Sequence, residues 1–175
     1  YYGMVTYLDQ QVGRVLDAIE AAGLSHNTRI IYTDDHGDSL GEHGLFFKHN
    51  MYEGLVGIPM IMAGPDIPVQ EVIDDPVSLV DIFPTILDCT GIRMQPEDMS
   101  KPGRSLFKVI DCVKTGKPMD RVIFSEYHNV GTNHSLFMIR KKQYKLVYYV
   151  SYQPQLFDLD ADPCETTNLA VLPEY

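Results

Sequence analysis

Two short, unbroken apolar runs limit the fold more than any other feature. Ile30-Ile31-Tyr32 lies within residues 29–33, and Pro59-Met60-Ile61-Met62-Ala63 ends at Gly64-Pro65. Each is strand-sized and lacks the apolar–polar alternation of a half-solvated strand, so each reads as a strand buried on both faces. Such strands need helices to cover them. Val5, Leu8, Val12, Val15, Leu16 and Ile19 fall on one helical stripe, expected to be a buried face, with Gly23 placed to end the helix. Ser78-Leu79-Val80-Asp81 has the form of a capping box opening a second helix that ends near Cys89. Pro84 sits near its start and Gly91 just past its end. Helix, strand, loop, strand, helix is the order of an α/β layer with a largely parallel sheet.

The character changes after about residue 101. Residues 94–103 are polar with two prolines and read as a linker. Residues 122–127, 136–140, 144–150 and 156–159 read as strands joined by short polar turns, and 165–172 as a short helix. The expected organisation is an α/β part over 1–100 and a small antiparallel sheet with a helix over 101–175.

Composition narrows the function. The net charge is −10, from 24 acidic and 14 basic residues, which argues against a nucleic-acid partner. An anionic substrate would need a local positive focus, such as a bound metal or a placed lysine. No apolar run approaches the roughly 18 residues of a membrane span. Cys89, Cys112 and Cys164 are widely spaced, with neither a disulfide framework nor a CxxC zinc pattern, and lean towards a reducing, cytoplasmic compartment. The chain opens at Tyr1 inside a helical pattern, with no signal-peptide pattern, and so reads as a piece of a longer polypeptide.

The chemistry concentrates in Thr33-Asp34-Asp35-His36-Gly37-Asp38, then Gly41-Glu42-His43-Gly44 and Lys48. This stretch begins at the carboxyl end of the first strand, where open α/β sheets bind ligands. A carboxylate beside an imidazole suits calcium, manganese or zinc. Neighbours on a straight strand face opposite sides, so both can face one ion only if the backbone turns at Asp35, which Gly37 would ease. Spacing alone leaves a polar turn of solvated acids as an equal reading.

The segment resembles the sulfatase family, whose pattern is an apolar strand followed by Thr-Ser-Asp-His-Gly-Asp. Gly41-Glu42-His43-Gly44, Lys48, Tyr52-Glu53, Ile58-Pro59 and Gly64-Pro65 continue it in register. Val80-Asp81-Ile82-Phe83-Pro84-Thr85, Gly91-Ile92 and Gly103-Arg104-Ser105-Leu106 match later landmarks. Tyr144-Lys145-Leu146, Leu156-Phe157-Asp158-Leu159, Asp162-Pro163 and Asn168-Leu169-Ala170 match its C-terminal end. Asp34 departs from the usual serine.

The resemblance implies part of an alkaline phosphatase-like mixed sheet flanked by helices, followed by the small C-terminal antiparallel sheet. It implies Asp35 and His36 as metal ligands, with calcium the expected ion and manganese or zinc the alternatives. It implies Lys48 as the catalytic contact to a sulfate oxygen. Many members have asparagine in place of His36, so the histidine points to a subset with choline-sulfatases, arylsulfatases and phosphonate monoester hydrolases. His128 and His134 flank a loop, 128–135, that in this family can fold back towards substrate.

The family's nucleophile motif, Cys-x-Pro-x-Arg, is absent; Cys89-Thr90-Gly91-Ile92-Arg93 lacks the proline. The family's N-terminal metal-binding aspartates are missing too. Asp158-Leu159-Asp160-Ala161-Asp162 begins like a calcium loop but lacks its glycine and late glutamate, so it reads as a turn. The implied activity is hydrolysis of a small-molecule sulfate ester by a longer chain. The alternatives are a phosphonate monoester or phosphodiester substrate, and a non-catalytic fragment or interaction module. Alone, the piece should expose strand edges and apolar faces, so self-association is expected.

Overall fold

The computed structural model describes residues 1–117, 119–128 and 130–175. Its regular elements begin with α1 (Tyr2–Ala21), β1 (Ile30–Thr33), β2 (Ser39–Leu40), β3 (Phe46–Phe47) and α2 (Glu53–Val56). β4 (Met60–Ala63), α3 (Ile82–Thr90) and α4 (Leu106–Lys114) follow. The chain ends in β5 (Ile123–Tyr127), β6 (Leu136–Lys141), β7 (Tyr144–Tyr149) and β8 (Gln155–Asp158). These divide into two compact units, Tyr1–Tyr32 with Met60–Glu71, and Thr33–Pro59 with Val72–Tyr175. Among the described residues no helix is long and apolar enough to cross a membrane.

In the first unit, α1 ends where Gly23 was expected to stop it. Leu24 N–H donates to Ile19 O at 3.0 Å and Gly23 N–H to Glu20 O at 2.8 Å, the paired bonds of a left-handed glycine cap. The stripe forms, but the expectation of a buried face fails. No α1 residue is buried, and Val5, Leu8, Val15 and Leu16 are exposed. β1 pairs with β4 in a two-stranded sheet. Both strands were read as fully buried, yet β1 is only half-buried and Ile61 is 58% exposed. A two-stranded ribbon leaves an edge of each strand and part of each face open.

The second unit is built on the antiparallel meander β5-β6-β7-β8, with Met138 facing Val147 and Ser125, and Lys145 facing Phe157. The four strands fall where the sequence placed them. One sheet face buries Leu136, Met138 and Val147 against Met51, with Val56, Tyr127 and Tyr149 packed around them. Burial raises the Tyr149 hydroxyl above its usual range.

α4 was not foreseen, although Leu106, Val109 and Ile110 at helical spacing are its buried face. It docks through Thr85, whose hydroxyl accepts Leu106 N–H at 2.9 Å and donates to Asp81 O at 2.6 Å. The Ser78–Asp81 capping box is present and leads through a 3-10 turn into α3. The stretch read as a linker carries a 3-10 turn at Pro96–Asp98.

The helix expected over 165–172 shrinks to a 3-10 turn, Leu169–Val171. Two side chains explain this. Glu165 takes a positive φ of 55° and turns its carboxylate onto Lys145. Asn168 accepts both Leu156 N–H and Ala170 N–H at 3.0 Å, pinning the chain to β8. The buried Lys145 ammonium is shared with Glu53 Oε1 at 2.9 Å. Glu53 N–H in turn donates to Glu165 Oε2 at 2.6 Å, so the start of α2 is tied to β7 and to the C-terminal segment. The Asp158 carboxylate accepts Asp160 N–H at 3.1 Å and Ala161 N–H at 3.3 Å, as a turn residue does.

Candidate functional site

Asp35, His36 and Lys48 lie in one cavity of about 320 Å³ in the second unit. Its floor is apolar, with Met51, Leu55 and Met138 among the lining side chains. The chain leaves β1 and turns at once. Asp35 Oδ1 accepts His36 N–H at 3.0 Å, which folds the carboxylate back over the next residue. Asp35 Oδ2 then stands 3.6 Å from His36 Nε2, so the two adjacent side chains present donors on the same side.

His36 is oriented from behind. Its Nδ1 lies 2.9 Å from Gly37 O, an acceptor, so this nitrogen carries the proton and Nε2 presents its lone pair outwards. Lys48 Nζ donates to that lone pair at 3.0 Å. The backbone turns at Asp35 as expected, and Gly37 meets a further demand there without taking a positive φ. Its N–H donates to Leu55 O at 2.8 Å, and an added Cβ would collide with the Gly54 carbonyl oxygen. Close approach of the loop to α2 is what demands glycine. Gly37→Ala is therefore expected to destabilise the protein by about 1–3 kcal/mol. Urea unfolding would read this, and an unchanged midpoint would show that the contact gives way freely.

The donor set suits a divalent cation in three respects. It pairs a hard carboxylate with an imidazole. The imidazole is fixed through its other nitrogen to a carbonyl, as metal-bound histidines are. A cation, the Lys48 ammonium, already sits on Nε2. Two donors make only part of a site, and among the described residues no group of three or more His, Cys, Asp or Glu gathers to hold an ion.

The other histidines lie elsewhere. His128 Nε2 is 3.2 Å from Glu126 Oε2, with its ring edge-on to Phe137. His134 meets Tyr152 edge-on. Neither lines the cavity, and Asn129 in the loop between them is outside the described residues. His43 stacks on Tyr52 with ring centroids 3.8 Å apart and borders a separate cavity beside Cys164. Nearby, Leu40 N–H holds the Glu42 carboxyl below the usual range.

Sequence reasoning missed His49 and Tyr127. His49 Nδ1 lies 2.9 Å from Tyr127 Oη, and Tyr127 lines the cavity. The two are 78 residues apart, and no local pattern pairs them.

A family model for sulfatases matches residues 1–92. The chain belongs to the sulfatase family. This sulfatase chain is 38% identical over 178 residues to arylsulfatase K of Mus musculus, covering 97% of itself and 32% of that protein. It is 36% identical over 173 residues to choline-sulfatase of Rhizobium meliloti (strain 1021), covering 99% of itself and 33% of that protein. Among solved structures, the phosphonate monoester hydrolase of Agrobacterium radiobacter aligns with a TM-score of 0.77 at 29% identity, over 100% of this chain and 37% of that one. A 2-O GAG sulfatase aligns at 0.81 with 29% identity, over 96% of this chain and 37% of that one. The sulfatase chain thus has the α/β, alkaline phosphatase-like fold of its neighbours. It spans about a third of the length of the curated relatives it matches.

Proposed function

We propose that this chain supplies part of the metal site and the anion-binding lysine of a longer, metal-dependent sulfatase acting on a small-molecule sulfate ester. The convergence of Asp35 Oδ2, His36 Nε2 and Lys48 Nζ carries the reading. Asp35 and His36 would hold the ion, with calcium the first choice and manganese or zinc the alternatives. Such an ion supplies Lewis-acid polarisation of the ester oxygen.

The chain's own residues do the rest. Gly37 O holds the His36 Nδ1 proton, so Nε2 stays a lone-pair donor towards the cavity. Lys48 brings a compact positive charge to the transferred oxyanion, offsetting charge that develops there. In a chain of net charge −10 that focus decides whether an anion can stay. With no Cys-x-Pro-x-Arg motif in the sequence, residues 1–175 alone turn over no sulfate ester.

The likeness to a phosphonate monoester hydrolase over 100% of the chain supports a second substrate class on the same scaffold. Sulfate and phosphonate esters are both tetrahedral oxyanions, and Lys48 would serve either.

The test is metal analysis of the full-length protein. Wild type is expected to carry a stoichiometric divalent ion, and His36→Ala to lose at least about tenfold in metal affinity. Equal metal content in the two proteins would remove His36 from the ligand set.

A further inference from the structure

Lys48 is exposed on a long, flexible stem, yet its ammonium is held 3.0 Å from His36 Nε2. The residues before it fix little. Phe46 and Phe47 are 64% and 69% exposed, in the short β2–β3 hairpin. The residues after it are each anchored. Asn50 is buried, donates to Ser39 Oγ at 2.8 Å and accepts Tyr52 N–H at 2.9 Å. Met51 belongs to the core.

His49, next to Lys48, is clamped from two sides. Tyr127 Oη gives its one proton to Val130 O at 2.7 Å, so it accepts from His49 Nδ1–H at 2.9 Å. On the other side the ring lies against Gly131. A Cβ there would come within 2.6 Å of Nδ1, and the φ of Gly131 is 95°. Gly131 therefore packs onto this imidazole with no room for a side chain.

We infer that His49 and Tyr127 are positioning residues for Lys48, the Tyr127–His49 bond fixing the backbone from which the Lys48 ammonium is aimed into the cavity. The inference rests on the anion-binding role of Lys48 proposed above. Tyr127 acts through His49, and His49 through the peptide it shares with Lys48. A substitution at either should matter only while residue 48 carries its charge.

The experiment is a double-mutant cycle in the full-length protein, with para-nitrophenyl sulfate as the turnover probe and inorganic sulfate as the binding probe. Tyr127→Phe keeps the ring and removes the hydroxyl. It should lower kcat, and sulfate affinity, about tenfold without a large shift in the thermal midpoint. His49→Ala should match it, and His49→Gln, which keeps a side-chain N–H, should recover most of the loss. In the Lys48→Ala background Tyr127→Phe should have no further effect. A merely structural contact would lower activity equally in both backgrounds, and that additivity overturns the inference. So does a normal Tyr127→Phe protein alongside an impaired Lys48→Ala. An unimpaired Lys48→Ala would instead remove the role of Lys48, and the positioning role with it.

Discussion

Asp81→Ala is expected to destabilise the protein by about 3–5 kcal/mol, the loss that follows when one partner of a buried ion pair is removed. Asp81 is 0% exposed. Its carboxylate accepts four donors: Ser78 N–H at 2.9 Å, Arg104 N–H at 2.8 Å, and Arg121 Nη1 and Nη2 at 2.6 and 2.5 Å. It therefore joins the entry to α3, the turn before α4 and the approach to β5. Truncation leaves the Arg121 guanidinium, 13% exposed, without its forked partner and orphans two backbone donors. Asp81→Asn keeps the shape and loses the charge, so it should fall between the two. Urea unfolding with an unchanged m-value reads the difference. A loss below about 1 kcal/mol would mean that water replaces the carboxylate at little cost.

That hub shows where the sequence was legible and where it stopped. Asp81 was visible as the last residue of a capping box, because the box is a spacing within four residues. Its fork with Arg121 was not, because the partners are 40 residues apart and only the fold brings them together. The same division runs through the molecule. Strands β5 to β8 were read correctly, since apolar alternation and polar turns are local. The helix over 165–172 was not, since Glu165 is drawn out of helical geometry by Lys145, a partner in another element. α4 was legible in Leu106, Val109 and Ile110 but lay between the linker over 94–103 and the strand over 122–127, where no element was expected. At the site, Asp35, His36 and Lys48 came from an ordered motif whose spacing is short. The packing demand on Gly37 was not legible, because a collision with Gly54 cannot be seen along the chain.

Lys48→Ala in the full-length protein should lower kcat about 10²–10³-fold, the usual cost of removing one preorganised group from developing charge. The ammonium already stands beside the candidate metal ligands, 3.0 Å from His36 Nε2, a nitrogen that is itself 3.6 Å from Asp35 Oδ2. If Lys48 stabilises the transferred oxyanion more as the ester bond breaks, kcat and kcat/KM should fall together. If it only holds the ground-state anion, KM should rise with kcat unchanged. Lys48→Arg should not restore the rate, because a planar fork presents its charge differently from a compact ammonium. Metal content should persist in Lys48→Ala, since Asp35 and His36 are intact, which separates loss of the lysine from loss of the ion. A kcat and a KM both within about threefold of wild type would place Lys48 outside the reaction and leave its contact with His36 as a resting ion-to-imidazole bond.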